Sequence, residues 1–290
     1  MTKALIIGAT GTVGGLVLKE ALRRGVDVRA LVRNKERANL PDTVEVVQGD
    51  LADREAVRGA LSGVDSAFYV SPHEANEIEI ATTFGQEVER AGARLVFGGF
   101  HIEDPAAREA AFQAIPAYIG KLKLAAFLAS TDTKPAIFSL MNFDQNDEVF
   151  LEDILAGTFP TPLHRDGVNR IDIRDAAEVL TNALTDLDFA AGAYRLVGPE
   201  SINGEESARI WGEELVREVR YTGDDPEWRA AFAKRLSGQK LEDWIRSFEL
   251  LSAAPSPTNP AELAVMTELL GRPPRTFREY VRDYVRENVS

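Results

Sequence analysis

An apolar segment near the start of the chain runs directly into a loop rich in glycine. Residues 4–7 read ALII, and positions 8–15 read GATGTVGG. A continuous apolar run is typical of a strand buried on both faces of a parallel sheet. The apolar spacing over residues 12–25 is helical, with two arginines in the last turn and a glycine after it. The glycines therefore lie where a buried strand turns into a helix.

The glycines at positions 8, 11 and 14 follow the spacing GxxGxxG, which differs from the GxGxxG of the general dinucleotide-binding fingerprint. Glycine at such positions allows a tight turn, close approach of the backbone to a pyrophosphate and close helix–strand packing. The free N–H groups of the helix N-terminus favour phosphate. The alternative, a plain strand-to-helix turn, does not require three glycines at this period. The predicted phosphate-binding residues are Gly8, Thr10, Gly11, Thr12, Val13 and Gly14.

Strand-like and helix-like segments alternate as far as residue 100, with short connections. Further strands are predicted at 26–33, 44–50, 64–72 and 93–99, and helices at 53–63 and 77–92. Such alternation indicates right-handed βαβ crossovers and an α/β fold built on a doubly wound parallel sheet.

The pattern changes after residue 100. We predict a helix at about 107–131, a strand at 134–143, a short helix at 149–157, a loop at 158–170, a helix at 171–186, a late strand at 192–198 and mostly helix from 203 to 254. The predicted nucleotide-binding domain covers 1–146, with 168–198 returning to it. A smaller, mostly helical C-terminal substrate lobe covers 147–167 and 199–290.

Composition narrows the classes of function. The formal net charge of −13 argues against nucleic acid or an anionic membrane surface as the main partner. The absence of cysteine excludes disulfides and thiolate catalysis, and the three histidines have no zinc-type spacing, so no metal is predicted. No apolar stretch reaches the ~20 residues of a membrane span and no signal peptide precedes the first strand, so we expect a cytoplasmic protein. The expected partner is a small hydrophobic molecule, bound by a monomer or a homodimer.

The end of the second predicted strand indicates which dinucleotide binds. An acidic residue there would hydrogen-bond the 2′-hydroxyl of NAD, but the chain has Arg33, followed by Lys35. A guanidinium can hold a 2′-phosphate through two parallel charge-assisted hydrogen bonds. We therefore predict NADP(H) as the cofactor, against the alternative of a solvated basic turn.

Other predicted strands bring residues to the carboxyl edge of the sheet, where ligands lie in open parallel sheets. Asp50 would accept a hydrogen bond from the adenine amino group, with Leu51 packed on the ring; the alternative role, helix capping, suits Asp53 better. Gly98 and Gly99 would let the nicotinamide ribose come close. The nicotinamide half is also expected near Val70, Ser71 and Pro72.

Eight segments carry a family resemblance by their order and spacing. They read GATGTVGG, ALVRN, GDLAD, GVDSAFYVSP, NFDQN, IDIRDAAEVLTNAL, GAYRLVGPESIN and LLGRPPRTFREYV. In them the chain resembles an atypical, NmrA-like member of the extended short-chain dehydrogenase/reductase superfamily, over nearly its whole length. The resemblance implies a Rossmann domain that binds NADP and a smaller lobe that closes over a substrate cleft.

The resemblance also assigns individual residues. The family's lysine falls on Lys121, which it implies beside the nicotinamide ribose, with a surface lysine as the alternative. The family's Phe-x-x-Asn is kept as Phe143 and Asn146, whereas its Arg-Pro is replaced by Ser139 and Leu140. The serine after strand five and the Tyr-x-x-x-Lys motif of the wider superfamily are absent. These departures argue against the usual proton relay but not against cofactor binding.

Two side chains are candidate proton donors. Tyr118 lies three residues before Lys121, so both would share one helix face, and a nearby cation would lower the pKa of the phenol. The alternative for Tyr118 is a pocket-lining or core aromatic. His101 follows strand five by two residues and could act as an acid, against the alternative of a loop histidine. Residues predicted to line the cofactor or substrate pocket are Tyr69, Phe100, Tyr118, Met141, Asn142 and Phe143.

Two functions remain open from the sequence. The first is an NADPH-dependent oxidoreductase that transfers a hydride to a hydrophobic conjugated acceptor, such as a quinone, enone, imine or carbonyl. The second is a non-catalytic regulatory protein that senses NADP(H), which the missing superfamily motifs favour. Tyr118, Lys121 and His101 remain candidates for a role in the reaction, so we expect the first function, an oxidoreductase.

Overall fold

The computed structural model describes the chain except for residues 1, 71–75, 103, 107, 110–118, 132, 141, 227 and 290, and except for the side chains of residues 119–121. Its strands are β1 (Lys3–Ile7), β2 (Asp27–Val32), β3 (Glu45–Gln48), β4 (Ser66–Val70), β5 (Arg94–Gly99), β6 (Ala136–Ser139), β7 (Thr158–Phe159), β8 (Val168–Asn169), β9 (Gly192–Arg195), β10 (Ser201–Ile202) and β11 (Arg220–Tyr221).

The helices are α1 (Thr12–Arg23), α2 (Arg54–Leu61), α3 (Glu77–Ala91), α4 (Ile119–Ala129), α5 (Leu151–Leu155), α6 (Ile173–Thr185), α7 (Gly204–Leu215), α8 (Trp228–Arg235), α9 (Gly238–Ala253), α10 (Pro260–Leu270) and α11 (Phe277–Asn288). A 3-10 helix covers Asp144–Phe150. These elements fall into two compact units, Met1–Leu140 with Ala176–Arg195, and Met141–Asp175 with Leu196–Ser290.

A seven-stranded sheet forms the centre of the first unit. Its strand order is β3-β2-β1-β4-β5-β6-β9, and every neighbouring pair is parallel. The chain builds outward from β1 in one direction and then from β4 in the other, so the order reverses between these two strands. Ligands of open parallel sheets bind at such a switch point. The doubly wound α/β fold predicted from the sequence is confirmed.

The core of the first unit includes one residue that the sequence prediction had assigned to a pocket wall. Tyr69 is only 1% exposed, and its ring centroid lies 4.8 Å from that of Phe84 and 6.1 Å from that of Phe97. The alternation of β4 turns Tyr69, like Ala67, toward the face that α2 and α3 cover. Tyr69 therefore packs within the core of the first unit, and its predicted place on a pocket wall stays a prediction.

The second unit is mostly helical, with a separate aromatic core. Trp211, Phe150 and Phe232 are fully buried there, and Trp228 is 7% exposed. Residues 158–170, predicted to be a loop, contain the two-residue strands β7 and β8, which pair with β11 and β10. The roles predicted for the two parts of the chain, cofactor binding and substrate binding, stay predictions, as do their predicted boundaries.

Candidate functional site

The glycine loop begins where β1 ends, beside the switch point. Gly8 has a φ of 73°, a conformation that glycine adopts without strain. The N–H of Gly11 donates to the Gly8 carbonyl oxygen at 2.8 Å, and the N–H of Gly15 donates to the Gly11 carbonyl oxygen at 2.8 Å, which closes the first turn of α1. The three amides from Thr12 to Gly14 precede that first helical bond. Within the described chain no side chain caps this helix, so its amides are available to an anion.

Two glycines of the loop have no room for a side chain. A Cβ atom on Gly14 would lie 2.2 Å from the Gly8 carbonyl oxygen, and one on Gly8 would lie 2.7 Å from Cγ1 of Val70. The helix can therefore start directly against β1, and the loop can lie directly against β4. Thr10, Gly11 and Thr12 are exposed at the surface of this loop. The geometry is that of a phosphate cradle, and the residues present fit the pyrophosphate of a dinucleotide.

The basic turn after β2 is held in place by main-chain hydrogen bonds. The N–H of Lys35 donates to Oε1 of Gln48 at 3.2 Å, and the N–H of Arg37 donates to Oδ1 of Asn34 at 3.0 Å. Arg33 and Lys35 are both exposed, at the carboxyl edge of the sheet. A cationic turn with a fixed backbone can receive a 2′-phosphate, although a solvated turn would also be exposed.

The structure separates the two aspartates that follow β3. Asp53 caps α2, because its Oδ1 accepts from the amides of Glu55 at 3.0 Å and Ala56 at 3.4 Å. Asp50 is exposed, and its Oδ1 accepts only a local bond from the Ala52 amide at 2.9 Å among the contacts that the structure gives it. Asp53 thus takes the capping role, as predicted. Leu51, half-buried, packs against the core.

The strands β4 and β5 end at the same edge. Val70 is half-buried, whereas Ser71 and Pro72 lie outside the described residues. A Cβ atom on Gly98 would lie 3.2 Å from Leu140 and from the Phe68 ring, and one on Gly99 would lie 2.2 Å from the Phe97 ring. Packing against these side chains is one reason for a glycine at each position, so the two glycines do not by themselves indicate a nearby ribose.

Beyond Gly99 the chain stays attached to β6 through a side chain. The Leu140 amide donates to the Gly99 carbonyl oxygen at 2.8 Å. Oγ of Ser139 accepts from the His101 amide at 3.0 Å and donates to the His101 carbonyl oxygen at 3.2 Å. Phe100 and His101 are half-buried. From the sequence, Ser139 was identified only as a departure from the family pattern. The sequence feature that could have indicated its structural role is a hydroxyl group at the carboxyl end of an apolar strand.

Besides Ser71 and Pro72, three candidates from the sequence lie wholly or partly outside the described part of the chain. Tyr118 and Met141 fall in undescribed segments, and Lys121 is described only as backbone of α4. Their predicted roles stay predictions. Lys123, on the same helix, is exposed.

In the second unit, Asn142 and Phe143 belong to a segment with a fixed backbone. Phe143 forms a parallel bridge with Ile171, and the Asp144 amide donates to the Ile171 carbonyl oxygen at 3.0 Å. Oδ1 of Asn142 accepts from Nδ2 of Asn146 at 2.8 Å. This side-chain bond gives a structural role to the Asn146 of the family motif.

A buried ionic cluster supports the same segment. Nη2 of Arg170 donates to Oδ1 of Asp147 at 2.7 Å and to the Asp144 carbonyl oxygen at 2.9 Å, and its Nε lies 3.4 Å from Oδ1 of Asp144. The guanidinium lies 4.6 Å from the centre of the Phe277 ring. Nε1 of Trp211 donates to Oδ2 of Asp147 at 3.0 Å. None of these side chains was predicted from the sequence to belong to a functional site.

Two carboxyl groups in this cluster share one guanidinium. Burial raises the pKa of Asp144 to about 8, although Arg170 opposes the shift. Burial also raises the pKa of Asp147, where Arg170 and the Trp211 indole favour the charged form. Arg170 bonds more closely to Asp147, so Asp144 is the carboxyl that retains a proton near neutral pH.

The described residues contain neither a candidate metal cluster nor a candidate membrane-spanning helix. No cluster of three or more histidine, cysteine, aspartate or glutamate side chains there is arranged to hold a metal ion. None of the helices described there has the length and apolar character needed to cross a bilayer.

Comparison with known proteins places these features in context. The NmrA-like family matches residues 1–281 of the chain. An NAD(P)H azoreductase of Xenophilus azovorans is 28% identical over 285 residues, which are 96% of this chain and 96% of the relative.

Two solved structures share the fold. Triphenylmethane reductase of Citrobacter sp., in complex with NADP(H), aligns with a TM-score of 0.78 at 21% identity, over 98% of this chain and 99% of that one. NmrA, a negative transcriptional regulator, in complex with NADP, aligns with a TM-score of 0.69 at 16% identity, over 97% of this chain and 95% of that one. At these identities the likeness establishes the fold.

Proposed function

Because the chain belongs to the NmrA-like family, we propose that it is an NADPH-dependent oxidoreductase that reduces a hydrophobic, conjugated acceptor. The observation that carries the proposal is the glycine loop, whose uncapped helix begins directly against β1 because Gly14 has no side chain. The azoreductase relative is similar over 96% of its length and supports a redox reaction over the sensing of NADP(H) without turnover.

The binding site for the cofactor is assembled from the first unit. The amides of Thr12, Val13 and Gly14 would bind the pyrophosphate, and Arg33 with Lys35 would bind the 2′-phosphate. Asp50, which is exposed beside the end of β3, would accept the adenine amino group. The choice of NADP(H) over NAD(H) rests on the two cations, since a carboxylate at the same point would repel a 2′-phosphate.

When bound, NADPH supplies a hydride, that is, two electrons and one hydrogen nucleus. The acceptor gains this hydride at one end of its conjugated system and a proton at the other, and NADP⁺ is released. The residues of the chain have to orient the acceptor and provide or conduct that proton. His101 is the candidate donor in the described chain, and Tyr118 with Lys121 is the second candidate.

The proposed acceptors are quinones, enones, imines, carbonyls and, by analogy with the relative, azo compounds. What they share is a conjugated system that can accept a hydride and delocalise the charge that develops. The net charge of −13 favours neutral or cationic acceptors over anionic ones.

The test is turnover by the purified chain. The protein is incubated with NADPH and a panel containing each acceptor type, and the loss of reduced-nicotinamide absorbance is followed; binding of NADPH is measured separately by fluorescence. We expect turnover with at least one acceptor, and we expect a Gly14→Ala preparation purified in parallel to need at least roughly tenfold more NADPH for the same rate. Tight NADPH binding without turnover across the panel would instead favour a non-catalytic protein that senses NADP(H). NmrA, a negative transcriptional regulator, has been solved in complex with NADP.

A further inference from the structure

The main chain of His101 is held by one side chain from the neighbouring strand. Gly99 and Ser139 are register partners at the ends of β5 and β6. The β5–β6 ladder ends at this pair. Beyond it, Oγ of Ser139 accepts a hydrogen bond from the His101 amide and donates one to the His101 carbonyl oxygen. A hydroxyl can do both because it is a donor and an acceptor at once.

We propose that Ser139 is a positioning residue that fixes His101 at the carboxyl edge of the sheet for the reduction of the acceptor. The inference rests on the proposed oxidoreductase function and deepens it. Ser139 is 6% exposed and therefore lies beneath the surface that a ligand would touch. It acts through the backbone of His101, not by contact with the acceptor.

Residues after a strand normally lose their main-chain partners and become mobile. Here both polar groups of one residue are bonded to a single buried oxygen, at 3.0 and 3.2 Å, while Leu140 bonds Gly99 at 2.8 Å. The three bonds hold the chain against β6 for two residues beyond the ladder, and a displacement of about 1 Å at a reacting group can lower a rate roughly 100-fold.

The sequence of β6 is consistent with a specific role for Ser139 in positioning His101. The other residues of β6 are Ala136, Ile137 and Phe138, all apolar and at most 2% exposed. Ser139 is thus a single hydroxyl at the carboxyl end of a buried apolar strand.

The experiment is a double-mutant cycle between Ser139→Ala and His101→Ala. His101→Ala removes the imidazole but keeps both main-chain groups that Ser139 binds. We expect Ser139→Ala to lower kcat roughly tenfold when His101 is present and less than about twofold in the His101→Ala protein, with NADPH affinity unchanged in both. Ser139→Thr retains the hydroxyl and should restore most of kcat.

The matched control is Ser66→Ala. Ser66 is fully buried in β4 of the same sheet, at the amino edge, and its hydroxyl forms no hydrogen bond within the described chain. This change should leave kcat and its dependence on His101 unaltered.

Several results would overturn the proposal. Equal losses of kcat in the two backgrounds would mean that Ser139 acts independently of His101, and a wild-type kcat for either single variant would remove the coupling altogether. These results would leave the oxidoreductase function standing. If the unmodified protein turns over no acceptor, the positioning role and the oxidoreductase function fail together.

Discussion

Arg170 and Asp147 form a buried ion pair in the second unit, with 2.7 Å between Nη2 and Oδ1. Arg170 is 4% exposed and Asp147 is fully buried. Taking two charges out of water is costly, and the pair is stable only while each charge keeps its partners. The Trp211 indole supplies a further bond to Asp147.

Removal of one partner should therefore destabilise the second unit strongly. Arg170→Met leaves the Asp147 carboxylate buried and without its cation, and we expect the free energy of unfolding to fall by about 3–5 kcal/mol. Urea unfolding followed by tryptophan fluorescence measures this unit selectively, because every tryptophan of the chain lies in it. The control Arg209→Met removes an exposed arginine that pairs with Glu206 and Glu213, and it should barely change the transition. Similar losses in the two variants would contradict the buried-pair argument.

The pKa of Asp144 gives the second unit a pH dependence of known sign. The pKa is about 8 in the folded protein and 3.8 for the ordinary side chain. Between these values the folded state holds a proton that the unfolded chain has released, so stability falls as pH rises, by at most about 1.4 kcal/mol per unit. Above the folded pKa the loss is complete. Arg170 and Asp147 share the cluster, so part of the slope belongs to the group as a whole.

Asp144→Asn tests this dependence, because the amide resembles the protonated acid and does not titrate. We expect the variant to be more stable than the unmodified protein at pH 8.5, with the advantage shrinking as the pH is lowered toward 6. Tryptophan-detected urea unfolding at four pH values measures it. A constant difference between the two proteins across that range would show that Asp144 is already ionised in the folded protein.

The sheet could be predicted because its strands are apolar runs separated by helical periodicity. Because the strands are continuous apolar runs, the sequence does not indicate toward which face of the sheet Tyr69 is oriented. Strand β4 reads SAFYV and is buried on both faces, so nothing in its pattern tells which face is core and which meets a ligand. The two-residue strands β7 and β8 were missed for a related reason, since two residues cannot display a period.

The glycine loop could be recognised because its chemistry is local: strand, turn and helix follow one another within a dozen residues. The Arg170 cluster could not, since Arg170 and Asp147 are 23 positions apart and each alone resembles a surface charge. The bond from Ser139 to the His101 backbone spans 38 positions. Long-range polar contacts of this kind depend on register and burial, which residue types alone do not specify.

Gly14 and Gly15 make a matched pair for testing the phosphate loop. A Cβ atom at Gly14 would meet the Gly8 carbonyl oxygen at 2.2 Å, whereas at Gly15 the nearest atom, the Ala9 carbonyl oxygen, would be 3.4 Å away. Gly14→Ala should push α1 off β1, lower stability by about 1–3 kcal/mol and weaken NADPH binding at least tenfold. Gly15→Ala should bind NADPH almost normally, as followed by nicotinamide fluorescence. Equal affinities for the two variants would mean that close packing at Gly14 does not shape the site.

Arg33 should decide between NADPH and NADH. Its guanidinium is exposed at the end of β2, beside Lys35, and the two cofactors differ only in the 2′-phosphate that these cations would bind. A hydrogen bond to a charged group contributes about 1.5–3 kcal/mol, so Arg33→Ala should weaken NADPH binding roughly 10-fold to 100-fold and leave NADH binding unchanged. Arg90→Ala removes the same charge at the C-terminal end of α3, toward the amino edge of the sheet, and should alter neither affinity. Titration of both nucleotides against the three proteins measures the ratio, and tighter binding of NADH by the unmodified protein would refute the assignment of NADP(H).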